Sequence, residues 1–387
     1  NCLGLILPHL ALNASFARAM PNAGDLAFIS QSGAIATAML EWAEPREVGF
    51  SAVVSVGDMA QTGMGDLIDF YAKDENTRAI LIYLEGLKDA PSFMQAASNA
   101  SRMKPVIALK AGRTSASKQA ALSHTGSLAG SWDVYRAAFR ECGVVVVDTL
   151  EAMFDTANLL QRYPRPIGDR LAIVTNGGGA GILAVDALAG SDARLATLGS
   201  VTMASLEESL PANWSHSNPV DIIGDAGAER YEASVSAVLA DEQIDAVLVM
   251  NCPTALLVPG EAALATAQAV ARARRNGTSK PVFGCWLGDA NLRVSAPILQ
   301  AAGIPAFSAP ADASNGFASL VHSTQARERA PVKPHPHVSE AAVAEAQELI
   351  SAVQGDDRKA FSEIEAKRLL KLFGIPVAET SLIKGFD

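Results

Sequence analysis

Short apolar, β-branched runs alternate along this chain with amphipathic segments of helical length, the pattern of parallel strands joined by crossover helices. In the first half these runs predict strands near 25–30, 51–55, 79–84, 105–109 and 144–147. Five strands so arranged predict a flavodoxin-like, doubly wound sheet, in which ligands gather at the carboxyl ends of the strands.

The pattern occurs twice. GDLAFISQSGA at 24–34 reappears as GDRLAIVTNGGGA at 168–180, AILIY at 79–83 as AVLVM at 246–250, KPV at 104–106 as KPV at 280–282, and CGV at 142–144 as AGI at 302–304, in unchanged order. The expected fold is therefore α/β, with two tandem flavodoxin-like doubly wound parallel-sheet domains. A Pro- and His-containing stretch, 331–337, reads as a linker. Beyond it come a helix over about 339–353 and a second one opened by Ser362-Glu363-Ile364-Glu365, a capping box, and stopped at Phe373-Gly374-Ile375-Pro376. The chain opens at Asn1 without a methionine and stops at Asp387 just after a helix, so both ends read as cuts in a longer polypeptide.

With 387 residues, 49% hydrophobic and 19% charged, the chain is long enough for two or three domains with their own cores. Its apolar runs, such as 79–84 and 144–147, are far shorter than the roughly 20 residues of a membrane helix, and no membrane association is expected. Cys2, Cys142, Cys252 and Cys285 have no CxxC spacing, which indicates neither a disulfide framework nor a zinc site and fits a reducing, cytoplasmic setting. A net charge of −10 without a basic stripe argues against nucleic acid. Among His9, His216, His322, His335 and His337 the only metal-like spacing is the HxH of the linker, which reads as solvated, so no metal site is expected. GxSxG, HExxH and Walker A motifs are absent.

One region departs from the acidic background. Between Asp89 and Asp133 there is no acid, while Arg102, Lys104, Lys110, Arg113 and Lys118 all fall there. Clustered cations collect anions, and His124 sits in the small-residue loop 112–130, GRTSASKQAALSHTGSLAG. A phosphate handled by a histidine is the hypothesis; a solvated loop histidine is the alternative. The second half has Asp289-Ala290-Asn291-Leu292-Arg293 at the equivalent place, so His124 has no counterpart. Loops of this length are usually functional or disordered.

Ser30-Gln31-Ser32-Gly33-Ala34 follows a strand and begins a helix, placing N–H groups without intrahelical partners beside two hydroxyls, a terminus that binds phosphate. An ordinary serine-capped turn is the alternative. Asn176-Gly177-Gly178-Gly179 and Asn251-Cys252-Pro253-Thr254 invite the same reading. Glu85, just after the strand ending at Leu84, would lie at the same sheet edge. A carboxylate accepting from one ring nitrogen fixes the imidazole tautomer and leaves the other nitrogen as a nucleophile, whereas a strand-end surface charge would do nothing of the kind. Cys252 has no nearby histidine and reads as a packing residue rather than a nucleophile.

These motifs, together with Asn1-Cys2-Leu3-Gly4, Tyr83-Leu84-Glu85-Gly86, Ser123-His124-Thr125-Gly126-Ser127-Leu128-Ala129-Gly130, Asn218-Pro219-Val220-Asp221 and Ser362-Glu363-Ile364-Glu365-Ala366-Lys367, resemble the NDP-forming acyl-CoA synthetases, relatives of succinyl-CoA synthetase. The resemblance covers essentially the whole chain in family order. It implies that His124 is phosphorylated in turn by acyl phosphate and by nucleotide, that Glu85 orients it, and that Ser30, Gln31, Ser32, Gly33 and Ala34 bind its phosphate. Asn251, Cys252, Pro253 and Thr254 are implied to form a second phosphate-binding helix start. Residues 1–23 are assigned to the tail of a CoA-binding domain and a linker, with Asn1 and Cys2 toward CoA; 24–165 and 166–330 to two ligase domains; and 331–387 to a linker and the start of an ATP-grasp domain. The implied cofactors are CoA, ADP or ATP with Mg2+, and phosphate. The implied partners are acyl-CoA, a carboxylate and phosphate, in a homo-oligomer, and the fragment alone is expected to be inactive. The rival expectation is a regulatory, acyl-CoA- or nucleotide-sensing region of a protein lysine acetyltransferase; the presence of His124 favours the synthetase.

Overall fold

The structure, a computed structural model, describes residues 2–46, 48–114, 116–117, 131–163, 167–329, 339–356 and 358–380. Residues 1–332 form one compact unit and 333–387 another.

The first sheet has seven strands: β1 Gly4–Leu7, β2 Leu12–Ser15, β3 Ala23–Ser30, β4 Phe50–Ser55, β5 Ala79–Leu84, β6 Val106–Lys110 and β7 Val145–Val147. Their order is β2-β1-β4-β3-β5-β6-β7. From β4 to β7 every pairing is parallel, which is the flavodoxin order. The hairpin β1–β2 adds antiparallel to β4. Residues 4–15, read from sequence as part of a tail and linker, thus extend the first sheet, with Leu3 and Ile6 buried against it. Strands of four residues carry too little periodicity to be recognised in advance.

The second sheet comprises β8 Arg170–Thr175, β9 Arg194–Leu195, β10 Val220–Asp221, β11 Ala246–Asn251, β12 Val282–Trp286 and β13 Ala306–Phe307, in the order β10-β8-β11-β12-β13 with β9 also on β8. Two short pieces share one strand position, since β9 pairs with the start of β8 and β10 with its end. Asn218 closes the gap between them. Its Nδ2 donates to the carbonyls of Leu171 (2.8 Å) and Ala196 (2.9 Å), and its Oδ1 accepts from the Ile173 N–H (2.9 Å), so one side-chain amide replaces a strand peptide.

The inner faces of the two sheets share a single core, in which Phe28, Phe50, Phe154 and Leu159 pack in one cluster with Leu171, Ile173, Phe283, Phe317 and Leu320. Each sheet has a further core on its outer face. Gly143, at the end of helix Trp132–Cys142, has φ 74°, and a Cβ there would collide with Ala326 of the other half. A cleft of about 1040 Å3 opens between the halves beside the edge strands β7 and β13. Asp155 lines it with Glu151 and Asp312; desolvation, and then these two carboxylates, push the Asp155 carboxyl up to about 6.

In the second unit, helices Glu340–Gly355 and Glu363–Leu372 stand where the sequence predicts them. The capping box is complete: the Ser362 N–H donates to Glu365 Oε2 (2.7 Å) and the Glu365 N–H to Ser362 Oγ (3.4 Å). His335 and His337 lie outside the described residues. Among the described residues no helix is long and apolar enough to cross a membrane.

Two stability predictions follow from this packing. Asn218→Ala removes three hydrogen bonds to the backbone at once and should cost about 2–4 kcal/mol in urea denaturation. Asp155 has a folded pKa raised above its unfolded value, so the stability it contributes is present below pH ~4 and lost as pH rises through about 6. Asp155→Asn should therefore melt at a higher temperature than the wild type at pH 7–8 and at an equal temperature near pH 4.

Candidate functional site

Strand order reverses between β3 and β5 in one sheet and between β8 and β11 in the other, and ligands of open α/β sheets bind in the crevice at such points. At the end of β3, Ser30 is buried and turns its hydroxyl onto its own loop, donating to Ser32 O (2.7 Å) and accepting from the Ser32 N–H (3.1 Å). Ser32 caps helix Gly33–Ala43, its Oγ accepting from the Ile35 N–H at 3.3 Å. The N–H groups of Gly33 and Ala34 make no hydrogen bond among the described residues. Those two donors, at the positive end of an 11-residue helix, are what this turn offers an anion.

Gln31 has a different task. Its Oε1 accepts from the N–H groups of Glu85 and Gly86 (3.0 Å for the latter), and its Nε2 donates to Gly86 O (2.8 Å). The amide thus clamps the residues after β5 to the end of β3. Glu85 is half-buried there, and its carboxylate makes no hydrogen bond or ion pair among the described residues. Lys110, at the end of β6 and only 3% exposed, donates its Nζ to Glu85 O (2.7 Å) and to Ala111 O, and lies 4.6 Å from the centre of the Tyr135 ring.

The second half repeats this design. Thr175 makes the Ser30 turn with Gly177, and Asn176 makes the Gln31 clamp, donating to Cys252 O (2.9 Å) and accepting from the Cys252 N–H (2.7 Å). Strand register then equates Ser55 with Asp221, since they pair with Ser30 and Thr175, and Lys110 with Trp286, since they pair with Leu84 and Asn251. Glu85 and Cys252, which follow those two residues, are equivalent. Helix Gly178–Asp186 opens directly after this turn, but a carboxylate fills its end: a Cβ on Gly178 would lie 2.9 Å from Asp221 Oδ2. In the first half the corresponding Ser55 Oγ instead accepts from the Leu3 N–H (3.0 Å). One helix start is thereby compensated internally, while the other has a neutral hydroxyl beside it.

Two sequence expectations change here, while the reading of Cys252 as a packing residue agrees with its surroundings. Asn251, Cys252, Pro253 and Thr254 do not begin a helix. Asn251 ends β11 with its side chain buried between Tyr231 Oη (2.8 Å) and Asn291 Nδ2 (2.9 Å), a bridge joins Thr254 and Leu257, and the helix starts only at Pro259, whose fixed φ suits the first helical position. The Cys252 thiol is pushed up by burial and then by Asp221, the opposite of an activated nucleophile. The cations are also engaged elsewhere. Lys104, at the amino end of β6, caps helix Met64–Lys73 through Tyr71 O (3.0 Å) and Asp74 O, as Lys280 does in the other half through Leu239 O (3.0 Å) and Asp241 O. Arg102 donates to Arg329 O (3.0 Å), and Arg113 pairs with Asp148, donates to Val147 O (2.6 Å) and stacks over Trp132 at 4.5 Å.

His124, Lys118 and Asn1 lie outside the described residues. The frame of the His124 loop is nevertheless defined. The Ala111 N–H donates to Leu84 O (2.9 Å) as the Leu287 N–H does to Asn251 O (3.0 Å). From there the second half passes straight into helix Asp289–Ala301, whereas in the first half residues 118–130, which lie outside the described residues, come before helix Trp132–Cys142. The extra segment leaves the carboxyl edge of the sheet next to Glu85. Cys2 is exposed, and the Leu3 backbone beside it covers the helix start, with its N 3.2 Å from where a Cβ on Gly33 would be. The described histidines have structural partners: His9 donates to Gly24 O (2.8 Å), His216 bonds Glu207 (2.7 Å), and His322 lies 3.7 Å from Asp192. Sequence reasoning missed the Gln31 and Asn176 clamps and the Ser55–Asp221 difference. The repeat held a signal for the clamps, because in both copies a hydroxyl residue and then an amide end the first strand.

Residues 23–160 match the succinyl-CoA ligase-like flavodoxin domain, and 171–322 the Ligase-CoA domain. The chain is 39% identical over all 387 residues to Acetate–CoA ligase [ADP-forming] I of Archaeoglobus fulgidus, covering 54% of that protein. It is 39% identical over 327 residues to Acetate–CoA ligase [ADP-forming] I subunit alpha of Pyrococcus furiosus, covering 83% of this chain and 68% of that one. A solved structure of dinucleotide-forming acetyl-coenzyme A synthetase 1 of Ca. Korarchaeum cryptofilum, in complex with phosphate and ADP, superposes with a TM-score of 0.74 at 36% identity, covering 85% of this chain and 70% of that one. The chain thus spans about half the length of the Archaeoglobus relative and about two thirds of the alpha subunit. With both domains in place and the duplicated strand-end turns as described, the chain belongs to the family of ADP-forming acetate–CoA ligases, relatives of succinyl-CoA ligase.

Proposed function

We propose that this chain is the phosphoryl-transfer core of an ADP-forming acyl-CoA synthetase, acting within a longer polypeptide. The observation that carries the reading is the asymmetric pair of strand-end turns. Among the described residues only the first half combines helix N–H donors without a partner at Gly33 and Ala34, a neutral Ser55 where the second half has Asp221, and a Glu85 carboxylate without a hydrogen bond or ion pair, and the sequence of that half also carries the longer segment bearing His124. The named relatives are ADP-forming acetate–CoA ligases, which supports the ligase and leaves the acetyltransferase reading without support.

In this mechanism phosphate attacks the acyl-CoA carbonyl, the thiolate of CoA leaves, and acyl phosphate forms. A His124 ring nitrogen takes the phosphoryl group and the carboxylate departs. ADP then attacks the phosphorus, giving ATP and restoring the imidazole. Glu85 accepts a hydrogen bond from the N–H of the other ring nitrogen, holding one tautomer and stabilising the charge of the phosphorylated ring. The N–H groups of Gly33 and Ala34 stabilise phosphoryl oxygens by position and charge, which is most of what such transfers require. CoA is taken up with the help of Asn1 and Cys2, and the nucleotide with Mg2+ by parts outside this chain. A homo-oligomer in the cytoplasm belongs to the same reading.

In the whole polypeptide, His124→Ala should abolish labelling by radioactive ATP and magnesium on alkaline gels; undiminished label would remove the assignment. Ser55→Asp copies the second half and should reduce phosphate affinity at least tenfold in calorimetry, since it sets a carboxylate at the helix end. Binding equal to wild type would move the phosphate elsewhere.

A further inference from the structure

We propose that Gln31 and Lys110 are positioning residues that fix the backbone of Glu85 for phosphoryl transfer, and that Gln31 is not a phosphate ligand; this rests on the reading of Glu85 as the group that orients His124. A carboxylate can select one imidazole tautomer only if its own Cα–Cβ direction is fixed. At Glu85 the peptide planes on both sides are held through all four of their polar groups. Before it, Leu84 O accepts from the Ala111 N–H (2.9 Å) and the Glu85 N–H donates to Gln31 Oε1. After it, Glu85 O accepts from Lys110 Nζ (2.7 Å) and the Gly86 N–H donates to Gln31 Oε1 (3.0 Å). Gln31 Nε2 is itself occupied by Gly86 O (2.8 Å).

The second half separates what the fold needs from what the site needs. There the clamp is made by Asn176 alone, around Cys252, and the place of Lys110 is taken by the buried apolar ring of Trp286. A strand end of this fold therefore closes without a cation. Burying an ammonium is costly unless oxygens replace its water, and Lys110 is buried only in the half whose clamp holds an acid. Its Nζ reaches the Glu85 carbonyl itself, so the extra cation acts on the residue that distinguishes the two halves.

The test is a mutant cycle in the whole polypeptide, following phosphoenzyme formation by rapid quench with Gln31→Met, Lys110→Met, Glu85→Gln and the two doubles with Glu85→Gln. Each single variant should slow the step roughly 10–100-fold, the range for losing an orienting partner, with the apparent KM for phosphate and nucleotide unchanged. Each double should be no slower than Glu85→Gln alone, because residues acting through one group are not additive. Slowing that multiplies in the doubles would mean that Gln31 or Lys110 acts apart from Glu85, and would overturn the proposal. A raised KM for phosphate in Gln31→Met with an unchanged rate would make Gln31 a phosphate ligand and also overturn it. A normal rate in Glu85→Gln would instead remove the role of Glu85, a failure distinct from that of the clamp. If Gln31→Met does not fold, the Lys110→Met arm of the same cycle decides.

Discussion

The shared core between the inner faces of the two sheets is the constraint on which the rest depends. Each sheet must cover its inner face, and each does so with helices of its own half, Gly33–Ala43 and Leu150–Arg162 in the first and Gly178–Asp186 and Pro310–Glu328 in the second, which merge into one cluster where Phe28, Phe50 and Phe154 join Ile173, Phe283 and Phe317. The closing helices Leu150–Arg162 and Pro310–Glu328 contribute to the same layer. Interiors packed at crystal-like density deform little, so the strand ends of both halves are held as parts of one body. The crevice at the end of β3 and β5 inherits that rigidity through backbone hydrogen bonds. No disulfide is needed to hold it, and the four cysteines are free.

Duplication explains why the devices at the strand ends come in pairs. Ser30 and Thr175 make one turn through corresponding atoms, Gln31 and Asn176 clamp the residues after the neighbouring strand, and Lys104 and Lys280 cap a helix end. What recurs closes the fold. What differs is confined to a few positions at the carboxyl edge: Ser55 against Asp221, Glu85 against Cys252, Lys110 against Trp286, and a long segment against the direct start of helix Asp289–Ala301. All four differences fall at the carboxyl edge of the sheets, where the recurring turns and clamps also lie.

Much of this was legible in the sequence, for physical reasons that also mark where legibility stopped. The five strands of the first half were placed within two residues of their observed starts, because buried parallel strands read as apolar runs. The Ser362–Glu365 capping box was legible because both partners lie within one turn. The clamps leave only the recurring hydroxyl-then-amide pair as a trace in the sequence, because the Gln31 contacts with Glu85 and Gly86 cross 54 and 55 residues and no local pattern names their partners. The expected helix start at 251–254 rests on analogy with the other strand-end turns, whereas the helix itself opens at Pro259, beyond the Thr254–Leu257 bridge. The hairpin β1–β2 was passed over because its strands are short and exist only by pairing along β4.

Charge taught the sharpest lesson. A run free of acids and dotted with Lys and Arg looks like an anion-collecting surface, yet the described cations of that run are bound to carbonyl oxygens or to Asp148. A lysine at a helix carboxyl end answers the helix dipole and leaves little field for a ligand. What the first helix start can offer an anion is the pair of oriented peptide groups at Gly33 and Ala34, fixed by the cap at Ser32. Such dipoles need no reorganisation when charge moves, unlike a flexible lysine that would have to follow it. In the phosphoryl-transfer reading proposed above, a group taken up and released in each cycle is better served by such a neutral and rigid cradle than by a salt bridge, which would hold it too firmly to let it leave.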